Sequence, residues 1–317
     1  MMTKLAILFP GQGAQAVGMG KDLFDQFDYA KKLFNEIDRL ANRPLSKLCF
    51  EGPAEELKHT LNTQPTVLAA SIVAWECYKH AGGPEPAYVA GHSLGEFSAL
   101  YAAGSLSLPS VVRLVEKRSE LMEACPPGSM SAVIGLKYAD LNALCDQVTC
   151  EAKSGKAVVV ANFNTPEQLV ISGDPDSIAE VTTAAKSNGA KVIPLPVGGA
   201  FHSPLMNAAA SQFNKLIEQV EFSAPKYPIV QNYNAAPTTD PSLLKQTLAK
   251  QMNNSVRWCE TIQYMLSQRV THFIEIGPGK ALSGMVKKID RAAQTYNIED
   301  SVSLAQTISA LQNPVAA

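Results

Sequence analysis

The stretch that most restricts the fold is Gly91-His92-Ser93-Leu94-Gly95, set between the apolar run "AYVA" and the helix-like run "EFSALYAAG". A strand that turns this abruptly into a helix crowds its own backbone, and a glycine on each flank removes the clash. The serine then stands on the turn with helix N–H groups beneath its hydroxyl. A plain strand–turn–helix with small residues for fit reads the same over five positions. A reactive serine therefore asks the rest of the chain for a base, an oxyanion hole and a pocket.

The surrounding pattern places this turn in an α/β sheet. "LAILF" reads as a buried strand, "DYAKKLFNEIDRL" as a helix, and "QPTVLAASIVAWECYKHAGG" as a long helix closed by Gly82 and Gly83. Strand and helix in alternation predict a parallel sheet covered on both faces. From Met130 to Val197 the order changes. "SAVIGL" is a strand, "ADLNALCDQV" a helix, "AVVVANF" and "QLVISG" strands, "DSIAEVTTAAKSNG" a helix and "KVIPLPV" a strand. This β-α-β-β-α-β order is that of a ferredoxin-like unit. Turn-rich "ACPPGSM" and "GGAFHSP" bracket it. Residues 130–197 are thus expected to form a small domain inserted into a larger one made of 1–129 and 198–317. "YPIVQN" and "THFIEIG" read as strands of the resumed large domain, and the tail from about Thr295 carries no motif.

With 317 residues, 46% apolar and 18% charged, the chain can bury a sizeable core. A net charge of −2 provides no field to gather nucleic acid or an anionic membrane. No window is long and apolar enough to span a bilayer, and the opening apolar run is cut short by Pro10 and Gly11, which is weak for a secretory signal. The six cysteines show no CxxC spacing and no histidine partners, so neither a zinc site nor a redox motif is expected. Reduced, mostly buried thiols of a cytoplasmic protein fit this usage.

Gly11-x-Gly13-x-x-Ala16 formally fits a dinucleotide fingerprint, but a helix occupies the region about 20 residues on where a second strand ending in an acid is required. "GPGK" at 277–280 lacks phosphate-loop spacing. The glycines beside Gln12 would let its N–H approach a reacting centre closely, although a simple glycine turn reads the same. Among the five histidines, His59 and His80 read as solvated, His272 as structural, and His92 as facing away from Ser93 across a sharp turn. His202 sits on a glycine-rich loop before an N-cap Ser203 and a first-turn Pro204. A helix N-terminus disfavours imidazolium, and a neutral imidazole is what a base for serine needs.

Arg118 falls on the apolar stripe Val111, Leu114, Val115, Leu121 and Met122 of "SLPSVVRLVEKRSELMEA", while Arg113, Glu116, Lys117 and Glu120 take the outer face. An inward guanidinium needs an anion, because it cannot shed its charge. That anion is either an internal Asp or Glu, or a substrate carboxylate held bidentately.

With "FPGQGAQ", "GHSLGE", Arg118, "GAFHS", "QMNNSVRW" and "IEIGPGKAL" in this order, the chain resembles the malonyl-CoA:acyl carrier protein transacylases from about Lys4 to Ile289. The resemblance implies an α/β-hydrolase-like large domain with a ferredoxin-like insertion. It implies Ser93 as nucleophile, His202 as base, and the side-chain oxygen of Gln251 orienting His202. Backbone N–H groups of Gln12 and Leu94 would form the oxyanion hole, and Arg118 would hold the malonyl carboxylate. Phe201 resembles the phenylalanine of malonyl-selective members, Leu94 agrees with that preference, and Asn162 and His92 are assigned to the substrate cleft. Ala14 departs from the serine of many members, and the tail has no match. The implied partners are malonyl-CoA and an acidic acyl carrier protein, with Lys191, Lys280, Lys287 and Lys288 as docking candidates. No cofactor and no metal are implied, since CoA and phosphopantetheine enter as parts of substrates, and a monomer is expected. A serine hydrolase would share the elbow and base without needing an inward Arg118. A silent carrier-docking module would form no acyl adduct, and an acyltransferase serving polyketide carrier domains would use the same residues.

Overall fold

The structure is a computed structural model and describes residues 4–151 and 156–312. Strand β1 (Leu5–Phe9) is buried at every position, as a continuous apolar run must be at the centre of a parallel sheet. It pairs in parallel with β2 (Tyr88–Gly91) on one side and with β9 (His272–Ile276) on the other. Beyond β9 lies β10 (Gln294–Ile298), and beyond β2 lie β7 (Ile229–Val230) and β8 (Pro237–Thr238). Only β8 runs antiparallel to its neighbour. The order β10-β9-β1-β2-β7-β8 draws strands from both sides of the segment that builds the second sheet.

That second sheet holds β3 (Ser129–Ile134), β4 (Val158–Thr165), β5 (Gln168–Gly173) and β6 (Lys191–Pro194) in the order β4-β5-β3-β6, all antiparallel. Its two crossover helices are Tyr138–Glu151 and Pro175–Ser187. The register separates the faces. Val133, Leu169 and Ile171 pack with Leu141, Cys145 and Val181 of the helices. Met130, Ala132 and Val170 lie on the opposite face and join the main core. The main chain locks β4 to the larger part, with Phe163 N donating to Val256 O at 2.9 Å and Val256 N to Ala161 O at 2.8 Å.

Two local expectations change, and the tail, for which none was set, forms regular elements. The long helix runs Thr60–His80, starting ahead of Gln64 and carrying Pro65 inside it. Proline cannot donate to the carbonyl four residues back. Arg43 Nη2 meets that carbonyl, Leu61 O, at 2.7 Å instead. "YPIVQN" is strand only at Ile229–Val230, because Gln231 and Asn232 leave the ladder for partners beneath the site. The tail is ordered as β10 and a helix, Ser301–Gln312. Its strand is half-buried and polar, and its helix buries only Leu304 and Thr307, so neither gives a strong periodic signal.

The helix Gly95–Ala102 leaves β2 through the Ser93 turn and lies close against β1. A Cβ at Gly95 would run into the Phe9 carbonyl oxygen. Glycine here therefore lets the helix N-terminus sit at the carboxyl ends of two central strands, where open α/β sheets bind ligands. No described helix is long and apolar enough to cross a membrane.

Candidate active site

Ser93 has φ 52°, in the left-handed region. A non-glycine residue there carries strain of roughly 1–3 kcal/mol and must be held in place by its surroundings. Two side chains hold it. Asn232 Oδ1 accepts from Ser93 N at 2.7 Å, and Gln251 Nε2 donates to Ser93 O at 2.9 Å. Asn232 also donates through Nδ2 to Gly91 O at 2.7 Å, so it grips both arms of the turn.

His202, also left-handed at φ 59°, lies 2.7 Å from Ser93 Oγ through Nε2. Its other nitrogen, Nδ1, is 2.9 Å from the main-chain oxygen of Gln251 and 3.2 Å from that of Asn254. Two carbonyl acceptors require the proton on Nδ1 and leave Nε2 free to receive the serine proton. Burial, and then the nearby positive charge of Arg118, push the imidazole down to about 3. His202 is thus a neutral imidazole at physiological pH.

The expected role of Gln251 is corrected in its chemistry. Its main-chain carbonyl, not its side-chain oxygen, orients His202. The side chain turns the other way, with Oε1 accepting from Arg118 Nη2 at 3.0 Å and Nε2 donating to Ser93 O and to Glu96 Oε2. Oε1 receives Arg118 and both Nε2 hydrogens are taken by Ser93 O and Glu96 Oε2, so the side chain is held away from the imidazole.

Arg118 is 1% exposed. Its partners are all neutral: Nη1 donates to Gln64 Oε1 at 2.6 Å, and Nη2 to Gln251 Oε1 and to Ser93 Oγ, both at 3.0 Å. Its Cζ lies 5.4 Å from the Phe97 ring centroid, and Nε is buried with no acceptor. Burial pulls the group down to about 10, opposed by the Glu96 charge, so it stays a cation. Of the two anions that the sequence left open, no internal Asp or Glu pairs with it among the described residues.

These groups face a cleft of about 430 Å³ between the strand ends of the main sheet and the second sheet. Gln12, Ser93 and His202 line one wall, and Asn162, Val170 and Met285 line others. Among the described residues the amides of Gln12 and Leu94 have no hydrogen-bond acceptor, and Leu94 is the N-cap of the helix behind Ser93. Gly11 permits the close approach of the first loop, since a Cβ there would strike the His92 carbonyl oxygen. Gln12 Nε2 ties the loop to Thr60 Oγ1 at 3.1 Å. Phe201, 5% exposed, and Asn162, on β4 beside a register shift, both reach the cleft. His92 turns from Ser93 and joins Asn164 Oδ1 through Nε2 at 2.9 Å, with its ring edge-on to Trp258. It lines the cleft while tying the elbow to the second sheet.

Of the lysine candidates, Lys280 precedes and Lys287 and Lys288 belong to a helix that borders this cleft. The helix Ala281–Ile289 presents Ala281 and Met285 to it. Lys288, exposed, continues that stripe one turn on. Lys280 lies 3.7 Å from Glu299, and Lys287 Nζ donates to Arg291 O at 3.4 Å. Lys191 is level across the second sheet with Ile134 and with the cleft residue Gln168.

The sequence model of the acyl transferase domain family matches residues 7–312, and so covers the tail as well. The malonyl CoA-acyl carrier protein transacylase of Bacillus subtilis (strain 168) is 43% identical over 315 residues, covering 98% of each chain. The malonyl CoA-acyl carrier protein transacylase structure from Coxiella burnetii superposes with a TM-score of 0.94 at 34% identity, covering 99% of each chain. A malonyl-transacylase solved in complex with a type II PKS acyl-carrier protein superposes at 0.93 with 37% identity, covering 97% of this chain and 99% of that one. This chain belongs to the malonyl CoA-acyl carrier protein transacylase family.

Three further residues hold the site of this transacylase family member, and the sequence reading passed over them. Gln64 and Glu96 are buried polar residues of the helices Thr60–His80 and Gly95–Ala102. Asn232 follows β7 at its carboxyl end, where site residues concentrate in such sheets.

The lowered imidazole predicts the pH profile of the acyltransferase. A base acts above its own pKa and is lost as pH falls through it. kcat/KM reports the free enzyme's base, so the acylation rate of Ser93 should stay flat from about pH 8 down to about pH 5. Stopped-flow acylation checks this, and half-loss near the ordinary imidazole value of 6.5 would contradict it.

Proposed function

We propose that this chain moves a malonyl group from malonyl-CoA to the pantetheine thiol of an acyl carrier protein, through an ester on Ser93, in fatty acid synthesis. The observation that carries this reading is a buried guanidinium with only neutral partners, one hydrogen bond from the nucleophile. A hydrolase of simple esters has no use for such a charge. A carboxylate two carbons along an acyl chain does, because it reaches Arg118 once the acyl carbon is bonded to Ser93 Oγ.

The cycle has two halves. Ser93 Oγ attacks the thioester carbon and passes its proton to His202 Nε2. The carbonyl oxygen becomes an oxyanion received by the Gln12 and Leu94 amides, each worth about 3–4 kcal/mol. The C–S bond then breaks, and the imidazolium returns its proton to the departing CoA sulfur. In the second half the pantetheine thiol gives its proton to His202 and attacks the ester carbon; the C–O bond to Ser93 breaks, and the imidazolium returns the proton to Ser93 Oγ. Behind His202 stand two neutral carbonyls rather than an acid. The imidazolium gains less support there than a carboxylate would give, which suits a thiol acceptor more than water.

Phe201 and Met122 narrow the cleft beside the base. A methyl on the α-carbon meets that wall, and one methyl decides about 1–3 kcal/mol, so methylmalonyl-CoA is disfavoured rather than excluded. The acidic carrier is received by the lysines around the cleft mouth. Charge reversal of Lys280 and Lys288 together should raise KM for the carrier and leave KM for malonyl-CoA in place. An equal effect on both substrates would contradict that surface.

The test of the main reading is kcat/KM for malonyl-CoA and acetyl-CoA in the wild type and in Arg118→Ala, with holo carrier protein as acceptor. Removing one member of a buried charge pair costs about 3–5 kcal/mol, roughly a hundred- to a few-thousand-fold for malonyl-CoA. Acetyl-CoA, with no carboxylate, should lose far less. Equal losses would make Arg118 a structural residue.

A further inference from the structure

One carboxylate beneath the elbow takes no part in the chemistry above. Glu96 lies in the first turn of the helix Gly95–Ala102 and is 0% exposed. A buried carboxylate is costly unless donors surround it. Glu96 has three. Oε1 accepts from Gln231 Nε2 at 3.1 Å, and Oε2 accepts from the Asn232 main-chain N and from Gln251 Nε2, both at 3.0 Å. Gln231 Nε2 also donates to Leu244 O at 3.0 Å, which fixes the end of that amide facing Glu96. Burial pushes the carboxyl up, while three N–H donors and the nearby Arg118 charge favour its ionised form.

The two residues that meet at Oε2 are the two that hold Ser93. Asn232 receives the Ser93 N–H, and Gln251 donates to the Ser93 carbonyl. Gln251 also supplies the carbonyl behind His202 and the Oε1 that receives Arg118 Nη2. We propose that Glu96 is a positioning residue for the transfer reaction: its Oε2 anchors Asn232 and Gln251, and through them sets the backbone of Ser93 and the aim of the Arg118 guanidinium.

The chemistry of the amide explains why an acid is needed. Without Glu96, only the Ser93 carbonyl would keep the Gln251 amide from turning its NH₂ toward Arg118, donor against donor. Oε2 accepts only N–H, so it forbids that orientation. The acid also stands one amide away from the guanidinium. A direct Glu96–Arg118 pair would occupy the donors that a substrate carboxylate needs. Through Gln251, Glu96 offsets the buried cation without forming an ion pair with it.

The guanidinium half of this proposal rests on Arg118 as the carboxylate clamp. The test measures kcat and kcat/KM for malonyl-CoA and acetyl-CoA in wild type, Glu96→Gln, Gln251→Leu and the double variant, with folded fraction read by near-UV circular dichroism. Gln251→Leu keeps the main-chain carbonyl behind His202. Glu96→Gln should lower kcat on both substrates about tenfold or more, and should cut the malonyl-over-acetyl ratio by about the same factor again. Because Glu96 acts through Gln251, the double variant should fall no further in that ratio than the lower single variant. A purely structural role reduces both substrates by one factor and preserves the ratio, and that result overturns the proposal. A wild type without malonyl preference overturns the clamp reading instead, and kcat then decides the Ser93 half alone. If Glu96→Gln does not fold, Glu96→Asp withdraws the carboxylate by one methylene and carries the same comparison. A kcat and ratio both equal to wild type would overturn the proposal.

Discussion

The left-handed backbone of Ser93 is the constraint on which the rest of the site depends. At φ 52° the residue would relax if left alone. It is kept there by side chains from distant parts of the chain, Asn232 on its N–H and Gln251 on its carbonyl. The close packing of Gly95 against β1 fixes the helix that follows. Only with the turn so held does Oγ stand 2.7 Å from His202 Nε2 and 3.0 Å from Arg118 Nη2. Strain stored at one residue is thus balanced by hydrogen bonds from segments that the main sheet brings together.

The electrostatics follow from burial. Two basic groups lie side by side out of water, and the arginine keeps its charge while the histidine gives its up. Each has neutral hydrogen-bond partners: carbonyls behind His202, and amides and a hydroxyl around Arg118. One positive charge therefore waits unpaired in the site, which favours an acyl group that brings a negative one. The second sheet completes the cleft with its Met130 and Val170 face, and His92 bonds to Asn164 across the junction.

Much of this was legible in the sequence where a local rule applied. Flanking glycines marked Ser93, and helical period placed Arg118 inward, although the period does not reveal whether an inward arginine meets an acid. The ferredoxin-like strand order was readable because each element carries its own apolar pattern. The orienting atom behind His202 was not readable, because a main-chain carbonyl has no signature in residue type. Gln251 therefore stood out by its side chain, which serves Arg118 and Ser93 instead. Asn232 and Gln64 act only once distant segments meet, and the half-buried β10 and last helix lack the contrast that marks a core element.

The central claim is that Ser93 itself carries the acyl group between donor and acceptor. Mixing the protein with malonyl-CoA, quenching in acid and mapping peptides by mass spectrometry tests it directly. The account predicts one malonyl ester per chain, on Ser93, that disappears when holo acyl carrier protein is added and reappears on the carrier's pantetheine thiol. Transfer that proceeds with no adduct on Ser93, or with the malonyl group on another residue, would contradict it.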